Sequence, residues 1–144
     1  MRLLVDTQAF LWSALGDPRL TIAAKSVIAE TDNELYISPA TYWEIGIKVS
    51  LKKYSVAMDL QAFLEQQTRA IGLTVLPITA AHAAKVASLP FHHRGPFDRL
   101  LAAQCMVEEI AIVSSDEVFD AYTLSPYLVS RLRYRRRRSL KHAH

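Results

Sequence analysis

Of the 14 acidic residues in this chain, four stand where a carboxylate suits chemistry better than solubility. Asp6 ends the apolar run RLLV, and Asp116 follows the apolar run AIVSS. Glu44 sits inside YWEIGI, among residues that favour burial, and Asp98 stands at the start of the helical stretch FDRLLAAQCMVEE. Each also has a purely structural use. Asp6, Asp98 and Asp116 are placed to cap helices, for about 1 kcal/mol each, and Glu44 to pair with Lys48 one turn on. A gathered set, however, cannot stay bare. Two full charges about 4 Å apart repel by about 4 kcal/mol at an effective dielectric near 20, so converging carboxylates either hold protons or surround a cation. Oxygen donors without a Cys or His cluster select a hard ion, Mg²⁺ or Mn²⁺. Such an ion lowers the pKa of an attacking water and neutralises charge on phosphorus. The chemistry is phosphodiester hydrolysis.

Bringing the four together requires an element pattern that returns to one edge. The apolar runs RLLVD, ELYIS, LTVLPI and AIVSS read as buried strands. Between them lie TQAFLWSAL, stopped by the turn signal GDP, and TIAAKSVIAE with Thr21 as N-cap. ATYWEIGIKVSL follows Ser38-Pro39, DLQAFLEQQTRAI ends at Gly72, and TAAHAAKVASL starts at Thr79. FDRLLAAQCMVEE precedes the fourth strand, and DEVFDAY reads as a short last helix. Alternating strands and helices imply an α/β, three-layer domain with a mostly parallel central sheet flanked by helices. In such a sheet the helices run antiparallel to the strands, so helix beginnings and strand ends share one rim, where ligands bind. All four acids fall on that rim.

The 144 residues suffice for one domain with a real core. The net charge of +3 hides an asymmetry: residues 1–129 hold all 14 acids against ten Lys and Arg, a balance of −4, while residues 130–144 hold seven basic residues, mostly in YRRRR. The expected organisation is a mildly acidic domain over 1–129 and a flexible basic tail over 130–144, either solvated or meeting a polyanion. One cysteine, Cys105, excludes an intramolecular disulfide framework and fits a reducing, cytoplasmic setting. The opening MRLLV is stopped by Asp6 and forms neither a signal-peptide core nor a membrane span.

The sequence resembles the PIN-domain ribonucleases, and among them the VapC-type toxins of bacterial toxin–antitoxin pairs. The likeness spans residues 1 to about 123 and rests on LLVDTQAFLW, ELYISPATYWEIGIKVSL, LPFHHRGPFDRLLAAQ and IVSSDEVFDAY, in that order and spacing. It implies Mg²⁺- or Mn²⁺-dependent endoribonuclease activity leaving a 3′-hydroxyl and a 5′-phosphate, homodimerisation, and inhibition by a cognate antitoxin. It also implies that Asp6, Glu44 and Asp98 hold the principal metal and that Asp116 completes the site or supports a second ion. Relatives carry a hydroxyl residue just before the last acid, as Ser114 and Ser115 do here, and often an acid before PFDR, where this chain has Gly95. The YRRRR tail lies outside the family pattern.

Arg94, Arg99 and Ser115 are the expected substrate contacts, the two arginines serving equally well as salt bridges to the acids. Thr7 and Gln8 either steady a water or serve the helix start. Trp12 and Trp43 have the rings to stack bases, but at helical spacing among Leu and Ile they read as core, and Cys105 as a buried small hydrophobe. His92 and His93 lack a second spaced pair and make a poor zinc site. An aspartyl-phosphate phosphatase needs a second Asp two residues after the first, where Gln8 stands. The other competing class is a catalytically silent module that only pairs with a partner protein, its acids serving as caps.

Overall fold

A computed structural model describes residues 1–89 and 95–114. Four short apolar strands pair in parallel: β1 (Arg2–Val5), β2 (Glu34–Ile37), β3 (Leu73–Val75) and β4 (Ala111–Val113), in the order β3-β2-β1-β4. Leu4 sits opposite Tyr36 on one side and Ile112 on the other, and Tyr36 opposite Thr74. Strand side chains alternate between faces, and each face has its own core. On the first, Leu3, Val5, Leu35, Ile37 and Val113 pack with Phe10, Ala24, Ile45 and Phe63. These last four come from α1 (Thr7–Leu15), α2 (Ile22–Ala29), α3 (Pro39–Ser50) and α4 (Leu60–Ile71). On the second, Leu4 and Ile112 pack with Ala40 of α3, with Leu89, which caps α5 (Ala80–Ser88), and with Leu101, Ala102 and Cys105 of α6 (Pro96–Glu108). The fold is the expected α/β arrangement of helix, sheet and helix layers.

The helix boundaries follow local chemistry. Thr21 accepts from Ala24 N–H, Ser38 from Ala40 N–H and Asp59 from Ala62 N–H, each meeting an orphan donor of a first turn. α1 and α4 end at Gly16 and Gly72, whose φ of 63° and 82° lie where a side chain would be strained. Two expectations need correction. The third strand stops at Val75 rather than running through Ile78; Leu76 N–H still reaches Ile37 O at 2.8 Å, but Pro77 has no N–H to continue. And α6 begins at Pro96 with Gly95 as N-cap, with no side-chain cap bond, so Asp98 is its third residue and does not cap it. The expected helix DEVFDAY and the basic tail lie outside the described residues.

The chain lays β2 and β3 to one side of β1 and then crosses to place β4 on the other. The resulting switch in direction lies between β1 and β4. Beyond the carboxyl ends of these two strands stand Asp6 and Ser114, with the strand ends joined by the bond from Asp6 N–H to Val113 O at 3.1 Å.

Candidate metal and nucleic-acid site

At that switch point Asp6 is buried and held through both oxygens. One accepts from Ala9 N–H at 2.7 Å, capping α1, and the other from the Ser114 hydroxyl at 2.5 Å. Capping and a site role coexist, because the cap fixes where the carboxylate points. Ser114 ties the end of β4 to the end of β1 across 108 residues of chain.

Glu44 lies in the second turn of α3, its side chain only 12% exposed. Burial raises its pKa above the ordinary carboxylate range; nearby Lys48 opposes this, the negative charge of Asp98 adds to it, and a hydrogen bond with Thr7 opposes it. Glu44 and Asp98, 54 positions apart in sequence, thus lie near enough for the charge of one to act on the other. Asp98 occupies the first turn of α6, where the helix dipole favours a negative charge. Its Oδ2 stands 3.4 Å from where a side chain at Gly95 would begin.

Asp6, Glu44 and Asp98 line a single cleft of about 350 Å³ together with Thr7, Gln8, Trp12 and Lys48. Thr7 Oγ1 and Thr41 Oγ1 are 3.1 Å apart, tying α1 to α3 beneath it. Asp116, Arg94, Ser115, His92 and His93 lie outside the described residues. Among the described residues, no three His, Cys, Asp or Glu side chains close into a group that could hold a metal ion. The three acids are brought to one cleft without being drawn round one point.

A family profile described as PIN domain matches residues 3–123. The chain belongs to the PIN-domain family. PIN domains are generally nucleases, and those nucleases generally use divalent metal ions. Among solved structures, a chain in the crystal structure of VapBC2 from Rickettsia felis, bound to a DNA fragment from their promoter, superposes with a TM-score of 0.62. It shares 19% identity, over 85% of this chain and 94% of that one, a likeness of fold. No sequence among curated proteins matches this chain.

Several residues of this PIN domain bear on how the cleft is built. Trp43, expected in the core, is 65% exposed; α3 buries Ala40, Thr41 and Ile45, and position 43 falls off that stripe. Its ring meets Phe97 edge-on, centroids 5.4 Å apart. Trp12 is half-buried, packing on the first core while lining the cleft. Arg99, expected at the substrate, is buried, and its Nη2 donates to the carbonyls of Val86 at 3.0 Å and Leu89 at 3.4 Å. It clips α6 to the end of α5. Cys105 is buried as expected, and desolvation pushes its thiol far up, out of reach of reactive chemistry. Sequence reasoning missed Tyr54, whose hydroxyl meets Gln8 and Lys48 beside the acids; a tyrosine in a loop after a helix carries no signal of such a place. Among the described residues no helix is long and apolar enough to cross a membrane.

Proposed function

We propose that this PIN domain is a divalent-metal-dependent endoribonuclease and the toxin of a toxin–antitoxin pair. The observation that carries the reading is the placement of Asp6, Glu44 and Asp98 on one cleft at the switch point of the sheet. An all-oxygen donor set suits a hard divalent ion, which would also offset the repulsion between Glu44 and Asp98. Asp6, Glu44 and Asp98 would hold such an ion, with Asp116 completing the set. When bound, it would activate water and offset charge on the phosphorus of an RNA phosphodiester. The protein's own part is orientation: Ala9 N–H and the Ser114 hydroxyl fix Asp6. The likeness to a chain of the VapBC2 complex supports a cognate antitoxin as partner. Homodimerisation belongs to the same reading.

Purified protein without antitoxin is expected to cut single-stranded RNA in Mg²⁺ or Mn²⁺ and to stop with EDTA. Asp98→Asn, which keeps the shape and removes the charge, should lower the rate at least 100-fold at unchanged unfolding temperature, on the order of 3 kcal/mol of barrier. A variant as fast as wild type would remove the assignment of the acids, and wild-type protein inert toward RNA in either ion would leave a module that only pairs with its partner.

A further inference from the structure

The cleft is not acidic throughout. Lys48, on the same helix as Glu44, reaches into it with its side chain 30% exposed. Its Nζ stands 3.3 Å from the Tyr54 hydroxyl and 5.2 Å from the centroid of that ring. Gln8 Nε2 donates to the same hydroxyl at 3.3 Å. A phenol oxygen that accepts from two donors has its own proton to offer outward. Ammonium and amide thus line the cleft, and the Tyr54 hydroxyl, outside the cleft lining, joins the two. Farther along, the Arg19 guanidinium lies 5.1 Å from the ring of Trp12, which also lines the cleft.

Lys48 is one helical turn from Glu44, the spacing of a simple surface ion pair. Its distance of 4.0 Å from Glu44 Oε1 is too long for a hydrogen bond, and its nearer polar partner is the Tyr54 hydroxyl. A cation at this place works against holding a divalent ion and in favour of holding an anion. A cleft lined by carboxylates repels a polyanion, so a strand entering it needs a positive foothold beside the acids.

We propose that Lys48, with the Gln8 amide and the Tyr54 hydroxyl, forms a phosphate subsite. It grips a backbone phosphate of the RNA strand next to the one being cut. The assignment rests on the nuclease reading for its substrate, and on the cluster of Lys48, Gln8 and Tyr54 beside the acids for its place. Lys48 also balances Glu44 in the metal-free chain, and turns to the strand once an ion satisfies that carboxylate.

The test uses the full chain with Lys48→Met and Lys48→Arg. Anisotropy of a labelled single-stranded RNA is followed in Ca²⁺ between about 50 and 200 mM salt, and kcat and KM are measured in Mn²⁺. For Lys48→Met, Kd and KM should rise several-fold with kcat nearly unchanged. The slope of log K against log salt should flatten by about 0.7, the share of one single-strand phosphate, and half-saturating Mn²⁺ should not rise. Lys48→Arg keeps the charge and should keep the slope; with Gln8→Leu, which should weaken binding without altering the slope, it carries the test if Lys48→Met fails to fold. Unchanged Kd and slope, or a change confined to the Mn²⁺ requirement, overturns the subsite and leaves Lys48 as counter-ion of Glu44. Wild-type protein that binds RNA through Lys48 yet never cuts it would refute the nuclease reading alone. RNA that wild type does not bind at all overturns both.

Discussion

Glu44 shows most plainly how a site acid differs from a surface one. Its pKa is raised by burial and by Asp98, against the opposing pull of Lys48 and Thr7. Between the ordinary carboxylate value and the raised one, the folded chain keeps a proton that the unfolded chain has released. The stability of metal-free protein therefore falls as pH rises through that window, and stays lowered at neutral pH. Glu44→Gln lacks this penalty. It should unfold at a higher temperature than wild type at pH 7 without metal, with Mn²⁺ stabilising wild type and not the variant. Calorimetry with and without Mn²⁺ checks both; a less stable variant, or one equally stabilised by Mn²⁺, would contradict the role given to Glu44. The burial of Glu44 was legible in the sequence because a carboxylate among Trp, Ile and Gly invites explanation. Trp43 and Arg99 were not, for a physical reason: a helix among apolar residues shows its period but not which stripe faces inward, and a buried arginine satisfied by carbonyls has the spelling of an exposed one.

The strands and helices were legible because apolar runs, caps and glycine stops are local signals. All four strands and four of the six helices of the described residues lie within the stretches that the pattern marks, and α3 and α6 start one residue earlier, at Pro39 and Pro96. What local signals lack is lateral order. That β4 lies against β1, bringing Ser114 to Asp6, is set by packing on both faces of the sheet. So is the join between α5 and α6. Arg99 donates to the carbonyls of Val86 and Leu89, and the buried His82 accepts from Thr79 N–H through Nδ1 while its Nε2 meets Glu108 at 2.8 Å. Arg99→Met keeps much of the bulk and removes the donors. It should cost about 2 kcal/mol, as expected for bonds made by a charged group, read as a lower urea midpoint. RNA affinity measured at low temperature, where the variant is folded, should be unchanged; weaker RNA binding there would return Arg99 to the substrate.

The molecule carries its charge in two blocks, an acidic body with a balance of −4 over residues 1–129 and seven cations over 130–144. A polyanionic substrate meets repulsion from the first and attraction from the second. Deleting residues 131–144 should therefore raise KM for RNA and flatten its salt dependence, by about 0.7 in slope for each phosphate that the tail neutralises. A deletion that leaves the salt dependence untouched makes the tail a bystander to catalysis. The proposed activity requires one spatial condition, that side chains from the end of β1, from α3 and from α6 come round a divalent ion. Manganese soaked into crystals of the full chain tests it most directly. An anomalous peak bounded by Asp6, Glu44 and Asp98, absent in Asp98→Asn crystals, is the expected result. A cleft without a peak, or manganese bound only elsewhere, would contradict it.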